Sequence, residues 1–349
     1  MNLFDPIVVD PSRLHKNFIS VLVPFKKAEC ELVNDWATGF VDRDGKFIEE
    51  FQTTFNSSFW EIYLYASFSQ YKFAIDFKHV APDFSLSSNG FEFTVEATTA
   101  NAAQGKLNEW DRSFSEEEIA VIKSKRFREM NTETIVRLSN AILTKCKKYN
   151  DSYKKLPHVA GKPFLLAVAP FEQPHFNLQY DRPIRALLYD HYVDEEVYLA
   201  DPSKYPNGPP SLKLGYVEKD NGAEIPLGFF NNADLSEISA IIFSCTATWG
   251  KVSAMSNNPL TDTEVISLWA TPPHGAPERR SSKSHVHNES ILDGLHIYHN
   301  PYARYPLPPE IFKAPRVVQH YKESKSGDWV YEGRTDSLLF RQVWNYPKK

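Results

Sequence analysis

The sequence is poor in cysteine and lacks long apolar runs. Its three cysteines, Cys30, Cys146 and Cys245, form no CxxC pair, which excludes a disulfide framework and a cysteine-rich zinc site. No apolar run approaches the length needed to cross a bilayer. The first residues show no basic start followed by an apolar stretch, so we expect no signal peptide. These absences predict a cytoplasmic protein that does not enter a membrane.

An excess of basic charge is also absent. The formal net charge is −5 and the pI is near 6.1, so nucleic-acid binding would have to come from a local basic patch. The sequence contains no GxGxxG, GxxxxGK[ST], HExxH or GxSxG motif. It therefore lacks the signatures of dinucleotide binding, of a P-loop, of a zinc protease and of an α/β-hydrolase.

The composition is that of a globular protein. The chain has 349 residues, of which 42% are apolar and 24% are charged, enough to bury a substantial core. The order of patterned segments predicts an α/β fold in which helices flank a mixed β-sheet. We divide the chain into an N-terminal extension (1–50), the core (51–256) and a proline-rich, loop-rich C-terminal region packed on the core (257–349).

Several local patterns support this order of elements. A helix is predicted from about 56 to 69, and a strand is predicted over 71–80, where apolar residues alternate. The dipeptide Asn89-Gly90 between two alternating runs is a strong hairpin signal. A long helical pattern follows over 113–151, either as one helix or as two that divide near Asn131 and Thr132. The runs 162–171 and 238–248 are apolar on both faces and predict buried strands.

Two carboxylates lie on segments that the hairpin would bring together. Glu96 shares one strand face with Thr98, because alternate residues of a strand point the same way. A partner strand that carries Asp83 can bring a second carboxylate beside Glu96. Two close carboxylates repel unless one is protonated or a cation bridges them, and Mg²⁺ is a natural bridge because it prefers oxygen ligands.

Glu61 is a third acid in an unusual place. It lies in the segment FWEIYLYASF, which is apolar nearly all round and therefore predicts a buried helix. A carboxylate inside such a helix is costly unless it is paired or near a metal ion. The alternative is that Glu61 is a capping-box acid at the start of the helix.

Taken in order, these elements resemble the PD-(D/E)XK nuclease superfamily with its restriction-endonuclease-like core. The motif is carried by Pro82-Asp83 and by Glu96 on the next strand, with Glu61 on the preceding helix. The resemblance covers about residues 55–170. It implies a Mg²⁺ (or Mn²⁺) ion held by Asp83, Glu96 and the backbone carbonyl of Ala97, with Glu61 orienting a water or holding a second ion.

The sequence departs from the family at one position, because Thr98 stands where the family has lysine. In the family that lysine is thought to position or activate the attacking water. We expect a cation from the following helical segment to replace it, with Arg137 or Lys145 as the leading candidates. Further candidates are Lys125, Arg128, Gln104 and Lys106.

The resemblance implies metal-dependent hydrolysis of phosphodiester bonds, with DNA favoured over RNA as the partner. One alternative is a catalytically inactive nucleic-acid-binding protein of the same fold, in which the missing lysine records lost chemistry. Another is a glycoside hydrolase that uses the paired carboxylates as acid and base. The oligomeric state is left open, with a homodimer as one alternative.

A second group of metal-binding residue types lies in the C-terminal region. The segment SHVHNESILDGLHIYHNP contains HxH and HxxH spacings, which could serve a zinc or manganese ion. The segment has a loop-like pattern without a cysteine or carboxylate at metal-site spacing. Ordinary surface histidines are therefore the favoured interpretation of His285, His287, His296 and His299.

Overall fold

The fold is built on a mixed β-sheet of eight strands. The computed structural model describes residues 1–111, 127–206, 208–271, 276–323 and 329–348. The sheet has the strand order β1-β2-β3-β4-β9-β12-β13-β14. Its strands are β1 (Ala74–Asp76), β2 (Phe84–Ser88), β3 (Phe91–Asn101), β4 (Phe164–Phe171), β9 (Ala240–Phe243), β12 (His296–His299), β13 (Val318–Lys322) and β14 (Trp329–Glu332).

Strand direction changes across this sheet. β2 is antiparallel to both β1 and β3, and β3, β4 and β9 then run parallel to one another. β12 reverses direction and is parallel to β13, which β14 borders in the antiparallel sense. The predicted mixed sheet is therefore confirmed.

Smaller sheets and the helices surround this core. The other strands are β5 (Tyr192–Val193), β6 (Ser211–Leu212), β7 (Tyr216–Glu218), β8 (Glu224–Pro226), β10 (Thr261–Trp269), β11 (Glu278–Lys283) and β15 (Leu338–Pro347), of which β11, β10 and β15 form a three-stranded sheet. The α-helices are α1 (Lys16–Val21), α2 (Lys27–Trp36), α3 (Phe47–Thr53), α4 (Phe55–Gln70), α5 (Phe127–Asp151), α6 (Arg182–Tyr189), α7 (Glu195–Ala200) and α8 (Trp249–Met255). No helix in the described ranges is long and apolar enough to cross a membrane.

The hairpin that places the candidate acids follows from its turn residues. Asn89 has φ of 50° and Gly90 has φ of 83°, which is the left-handed pair that a two-residue hairpin turn requires. The register pairs Phe84 with Val95 across the hairpin. The hairpin signal in the sequence is therefore confirmed.

The central strands match their sequence patterns closely. Every residue of β4 is buried, as expected for a strand covered on both faces. α4 and α5 both pack against β3, and the indole Nε1 of Trp60 on α4 donates to the backbone oxygen of Ala167 at 3.1 Å. α5 runs through Asn131 without interruption, so the alternative helix boundary there is wrong. The front of the predicted long helix, residues 113–126, lies outside the described residues.

The C-terminal region differs from the expected loop-rich covering layer. It supplies β12, β13 and β14 to the central sheet. β12 is preceded by the turns of residues 291–294, and all of residues 291–300 are buried. Because these strands are only four or five residues long and are separated by proline-rich loops, their periodicity is too short to stand out in the sequence.

A buried ion network ties the three-stranded sheet to the rest of the fold. Glu289 Oε1 lies 2.7 Å from Lys251 Nζ and 2.5 Å from Arg341 Nη1, and all three side chains are at most 2% exposed. Burial alone would raise the pKa of Glu289, but Arg341 and Lys251 outweigh it and lower that pKa to about 2. The network joins α8 and β15 through charges that could not be buried singly.

Leucines inside and outside the central sheet provide a test of this architecture. Leu165 on β4 is fully buried, whereas Leu107 is 60% exposed. We expect Leu165→Ala to lower the free energy of unfolding by about 2–5 kcal/mol through the cavity it leaves. Leu107→Ala, the matched control, is expected to change it by less than about 0.5 kcal/mol. Urea denaturation measures both values, and equal losses would contradict the central position of β4.

Candidate active site

Asp83 and Glu96 lie on neighbouring strands of the hairpin. Phe84 pairs with Val95, so extending the register by one residue places Asp83 opposite Glu96. The backbone N–H of Ala97 donates to Asp83 Oδ2 at 2.7 Å. This bond fixes the carboxylate of Asp83 beside β3, as the sequence predicts.

Glu96 is the most enclosed acid of the site. Its side chain is 2% exposed, and its Oε1 lies 2.7 Å from Lys145 Nζ and 3.1 Å from Lys148 Nζ. The hydroxyl of Tyr153 donates to the same oxygen at 3.1 Å. The other oxygen, Oε2, is buried and has no hydrogen-bond partner among the described residues. One oxygen is thus saturated while the second is left for a ligand.

Glu61 extends this acidic group from α4. The helix begins at Phe55, so Glu61 lies in its second turn, and the capping-box alternative is wrong. Burial raises the pKa of Glu61 well above its usual value, and the charges of Asp83, Glu50 and Glu96 raise it further. The charges of both motif acids therefore contribute to the raised pKa of Glu61.

The pKa of Asp83 shows the same coupling. Burial is the largest cause and the charge of Glu96 the next, and together they raise this pKa to about 6. The bond from Ala97 and the charges of Lys145 and Arg43 act in the opposite direction. Repulsion between two close carboxylates is the condition under which a bridging cation becomes favourable.

The three acids are neighbours, but they do not form a tight cage. Within the described ranges, the group of three or more metal-ligating side chains whose ligand atoms all lie within 4.8 Å of one another is found elsewhere, at Asp181, His296 and His320. Glu61, Asp83 and Glu96 are therefore further apart than that as a set.

Of the two leading candidates to replace the missing lysine, the structure brings Lys145 to Glu96. Arg137 Nε instead donates to the carbonyl of Asn101 at 2.7 Å, five residues or about 16 Å along the strand from Glu96. Thr98 is half-buried on β3, two residues beyond Glu96.

Two of the other candidates, Arg128 and Lys106, have partners other than Glu96. The backbone N–H of Arg128 bonds to Glu196, and Lys106 pairs with Asp220 at the surface. Lys125 lies outside the described residues. Lys145 is therefore the candidate that the structure supports.

Two residues at this site were not found from the sequence. Arg43 Nη1 donates to the carbonyl oxygens of His79 at 2.6 Å and of Pro82 at 3.3 Å, which places a cation beside the PD dipeptide. Tyr153 follows α5 in a short 3₁₀ turn, and burial and then Glu96 raise its pKa. Nothing in the local sequence around either residue signals its role, because each reaches the site from a distant segment.

The residues present fit a hard divalent cation. The unpartnered Glu96 Oε2 is a buried anionic oxygen that lacks a donor in the part of the chain the structure describes. Asp83 and Glu61 add carboxylates whose pKa values are raised first by burial and then by the charges of neighbouring acids. Oxygen ligands of this kind suit Mg²⁺ or Mn²⁺.

A second, separate cluster lies in the C-terminal half of the sheet. Asp181, His296 and His320 are each at most 4% exposed, and the cluster could hold a metal ion. Burial lowers the pKa of His296 to about 4. His296 and His299 are therefore buried residues of β12, and the expectation of surface histidines is wrong for both.

The remaining two histidines of that segment lie elsewhere. His285 is exposed, as expected, whereas His287 Nε2 is 3.1 Å from Glu289 Oε2 in the buried ion network.

The described residues also line two cavities. One, of about 390 Å³, is lined by Ser85, Thr94 and Lys162 among others, and so lies along the hairpin strands that carry the acids. A larger one, of about 970 Å³, is lined by Asn56 at the start of α4 and by Trp110, Trp249 and Arg341. The lining of the first cavity includes none of Glu61, Asp83 and Glu96.

Comparisons with protein-family models, with curated proteins and with solved structures find no match for this chain.

The raised pKa of Asp83 predicts a specific dependence of stability on pH. The folded state holds this proton up to about pH 6, whereas an unfolded aspartate loses it near pH 4. The stabilising contribution is therefore complete below about pH 4 and is lost as the pH rises through 6. We expect Asp83→Asn, measured without divalent ions, to gain roughly 2 kcal/mol over the wild type between pH 4 and pH 7.

Asp76→Asn is the matched control for this measurement. Asp76 is exposed, and its hydrogen bond from the backbone of Lys78 keeps its pKa below the usual value, so it titrates below this window. Urea denaturation at a series of pH values compares the three proteins. If Asp83→Asn and the wild type show the same dependence on pH, the raised pKa of Asp83 is contradicted.

Proposed function

We propose that this chain is a Mg²⁺-dependent nuclease-like protein of the PD-(D/E)XK class that hydrolyses phosphodiester bonds of nucleic acid, with DNA favoured over RNA. The observation that carries the proposal is the pairing of Glu96 with Lys145 beside Asp83. A carboxylate with one saturated and one unpartnered oxygen, next to a second acid and a lysine, supplies the groups that this chemistry needs.

The order of elements supports the proposed restriction-endonuclease-like core. α4 precedes β1, β2 and β3, and α5 then leads to β4. These four strands are consecutive in the sheet, and β3 and β4 are parallel. Glu61 lies on α4, Pro82-Asp83 directly precedes β2, and Glu96 lies on β3, which is the order that the resemblance implies.

Lys145 is proposed to do the work of the lysine that Thr98 replaces. Its side chain is 22% exposed and reaches Glu96 from α5. An ammonium group in this place can position a water and stabilise negative charge that develops on a phosphate. Lys148, three residues further along α5, binds the same oxygen and holds the pair in place.

The bound metal ion would lower the pKa of a water and stabilise the charge on the phosphate. Glu96 and Asp83 are proposed to bind it through their carboxylate oxygens, together with the carbonyl of Ala97. Glu61, which lies on α4 next to these acids, is proposed to orient a water or to hold a second ion. The positive charge of Arg43 offsets part of the rise in the pKa of Asp83 and of Glu61.

A local basic patch beside the site supports an anionic polymer as the substrate. Residues 145–162 contain six lysines and a single acid, Asp151. Lys147, Lys154 and Lys155 are exposed, and they lie close in the sequence to Lys145 and Lys148, the pair that holds Glu96. Such a patch binds phosphates without reading sequence, and it offsets the net charge of −5 locally.

The proposal predicts that cleavage depends on Lys145 and on both motif acids. We expect Asp83→Asn, Glu96→Gln and Lys145→Met to lower the rate of plasmid DNA nicking in Mg²⁺ or Mn²⁺ by at least about 100-fold, a typical loss for a positioned catalytic group. Lys27→Met is the matched control, because Lys27 is an exposed lysine of α2 that lies outside the basic patch. It is expected to retain the rate within a few-fold.

The same experiment separates the proposal from its alternatives. Single-stranded, double-stranded and RNA substrates are compared, with EDTA as the metal-free condition. DNA binding without any cleavage in Mg²⁺ or Mn²⁺ identifies the inactive binding protein instead. Cleavage that persists in EDTA, or that is unaffected by Glu96→Gln, overturns the metal-dependent assignment.

A further inference from the structure

The cluster of Asp181, His296 and His320 lies far from the proposed nuclease chemistry in the sheet. His296 and His320 belong to the adjacent parallel strands β12 and β13, whereas the motif acids lie at the hairpin of β2 and β3. Tyr298 pairs directly with His320 in the register. Since alternate residues of a strand share a face, His296, Tyr298 and His320 point to the same side of the sheet.

Asp181 reaches this face from the start of α6. It is the N-cap residue of that helix, a position where aspartate usually accepts a bond from a backbone N–H of the first turn. In the structure its side chain makes no such capping bond with the described residues. Its Oδ2 lies 4.0 Å from His320 Nε2 and 3.4 Å from the hydroxyl of Tyr298. The carboxylate of Asp181 therefore faces the two histidines and does not cap the helix.

His320 is the unexplained member of the group. Its side chain is 3% exposed, yet neither ring nitrogen has a hydrogen-bond partner in the described part of the chain. A buried polar group without a partner costs about 1–3 kcal/mol, and buried imidazoles are otherwise hydrogen-bonded or bound to a metal. Arg185 lies 3.8 Å from Asp181 and compensates the buried charge of that acid. It does not account for the two unpartnered ring nitrogens of His320.

We propose that Asp181, His296 and His320 bind a divalent transition-metal ion of the zinc type, separate from the Mg²⁺ site. Two imidazoles and one carboxylate form a donor set that suits zinc and similar ions better than magnesium. The hydroxyl of Tyr298 lies 3.4 Å from both Asp181 Oδ2 and His296 Nδ1, so a fourth donor faces the same centre.

The spacing of the ligand atoms is close to what such an ion requires. Ligands about 2 Å from a tetrahedral zinc ion lie roughly 3.3 Å apart. The ligand atoms of the three side chains all lie within 4.8 Å of one another, so they need to close by at most about 1.5 Å. Because all three are buried, the ion would be closed off from solvent and would join α6 to β12 and β13 as a structural site.

Metal content and affinity of the full-length protein test this inference. The chain is refolded after chelation, with and without Zn²⁺, and Co²⁺ is used as a spectroscopic probe of tetrahedral coordination. We expect one Zn²⁺ per wild-type chain, visible Co²⁺ d–d bands and a higher melting temperature with Zn²⁺. His320→Gln and Asp181→Asn are expected to weaken Zn²⁺ binding by at least about tenfold and to remove the Co²⁺ bands.

Two controls keep the test specific. His299→Gln changes another buried histidine of β12, one that bonds to Gln319 Oε1 at 2.9 Å, and it is expected to bind Zn²⁺ like the wild type. Glu96→Gln separates this site from the nuclease-like site and is also expected to leave Zn²⁺ binding unchanged. A wild-type protein that binds no Zn²⁺, or folded variants at Asp181 and His320 that bind it as tightly as the wild type, overturns the inference.

Discussion

The candidate site depends on how the structure compensates one buried charge, the carboxylate of Glu96. A carboxylate that is 2% exposed is tolerable only with opposite charge or donors beside it. Lys145, Lys148 and Tyr153 supply these to one oxygen, while the other oxygen has none among the described residues. These contacts couple α5 to β3 and leave a position where a cation is favourable, while burial and then the charge of Glu96 raise the pKa of Asp83.

The parts of the fold that follow from local chemistry were predictable from the sequence. Asn89-Gly90 sets the hairpin because both residues accept positive φ, and the apolar run of β4 is typical of a strand covered on both faces. The hairpin also placed Asp83 beside Glu96, as its register shows. Lys145 was a candidate because its helical face carries several polar residues, although spacing alone could not separate it from Arg137.

The remaining features of the fold and the site depend on contacts between distant segments, which local sequence patterns do not reveal. Arg43 reaches the PD dipeptide across about forty residues, and Tyr153 reaches Glu96 across 57. The strands that carry His296 and His320 are four and five residues long, too short for their alternation to be distinguished from a loop. Those strands pair only in the folded chain. The side chain of Asp181 likewise meets the histidines only there.

Binding of Mn²⁺ to the protein alone tests the central claim most directly, because it requires neither substrate nor turnover. Isothermal titration compares the wild type with Glu96→Gln, in a His320→Gln background so that the histidine cluster does not contribute. We expect the His320→Gln protein to bind Mn²⁺, and we expect its Mn²⁺ affinity to fall at least about tenfold when Glu96 is also changed to Gln. Equal Mn²⁺ affinities in the two proteins, or no binding in either, would contradict the role assigned to the unpartnered oxygen of Glu96.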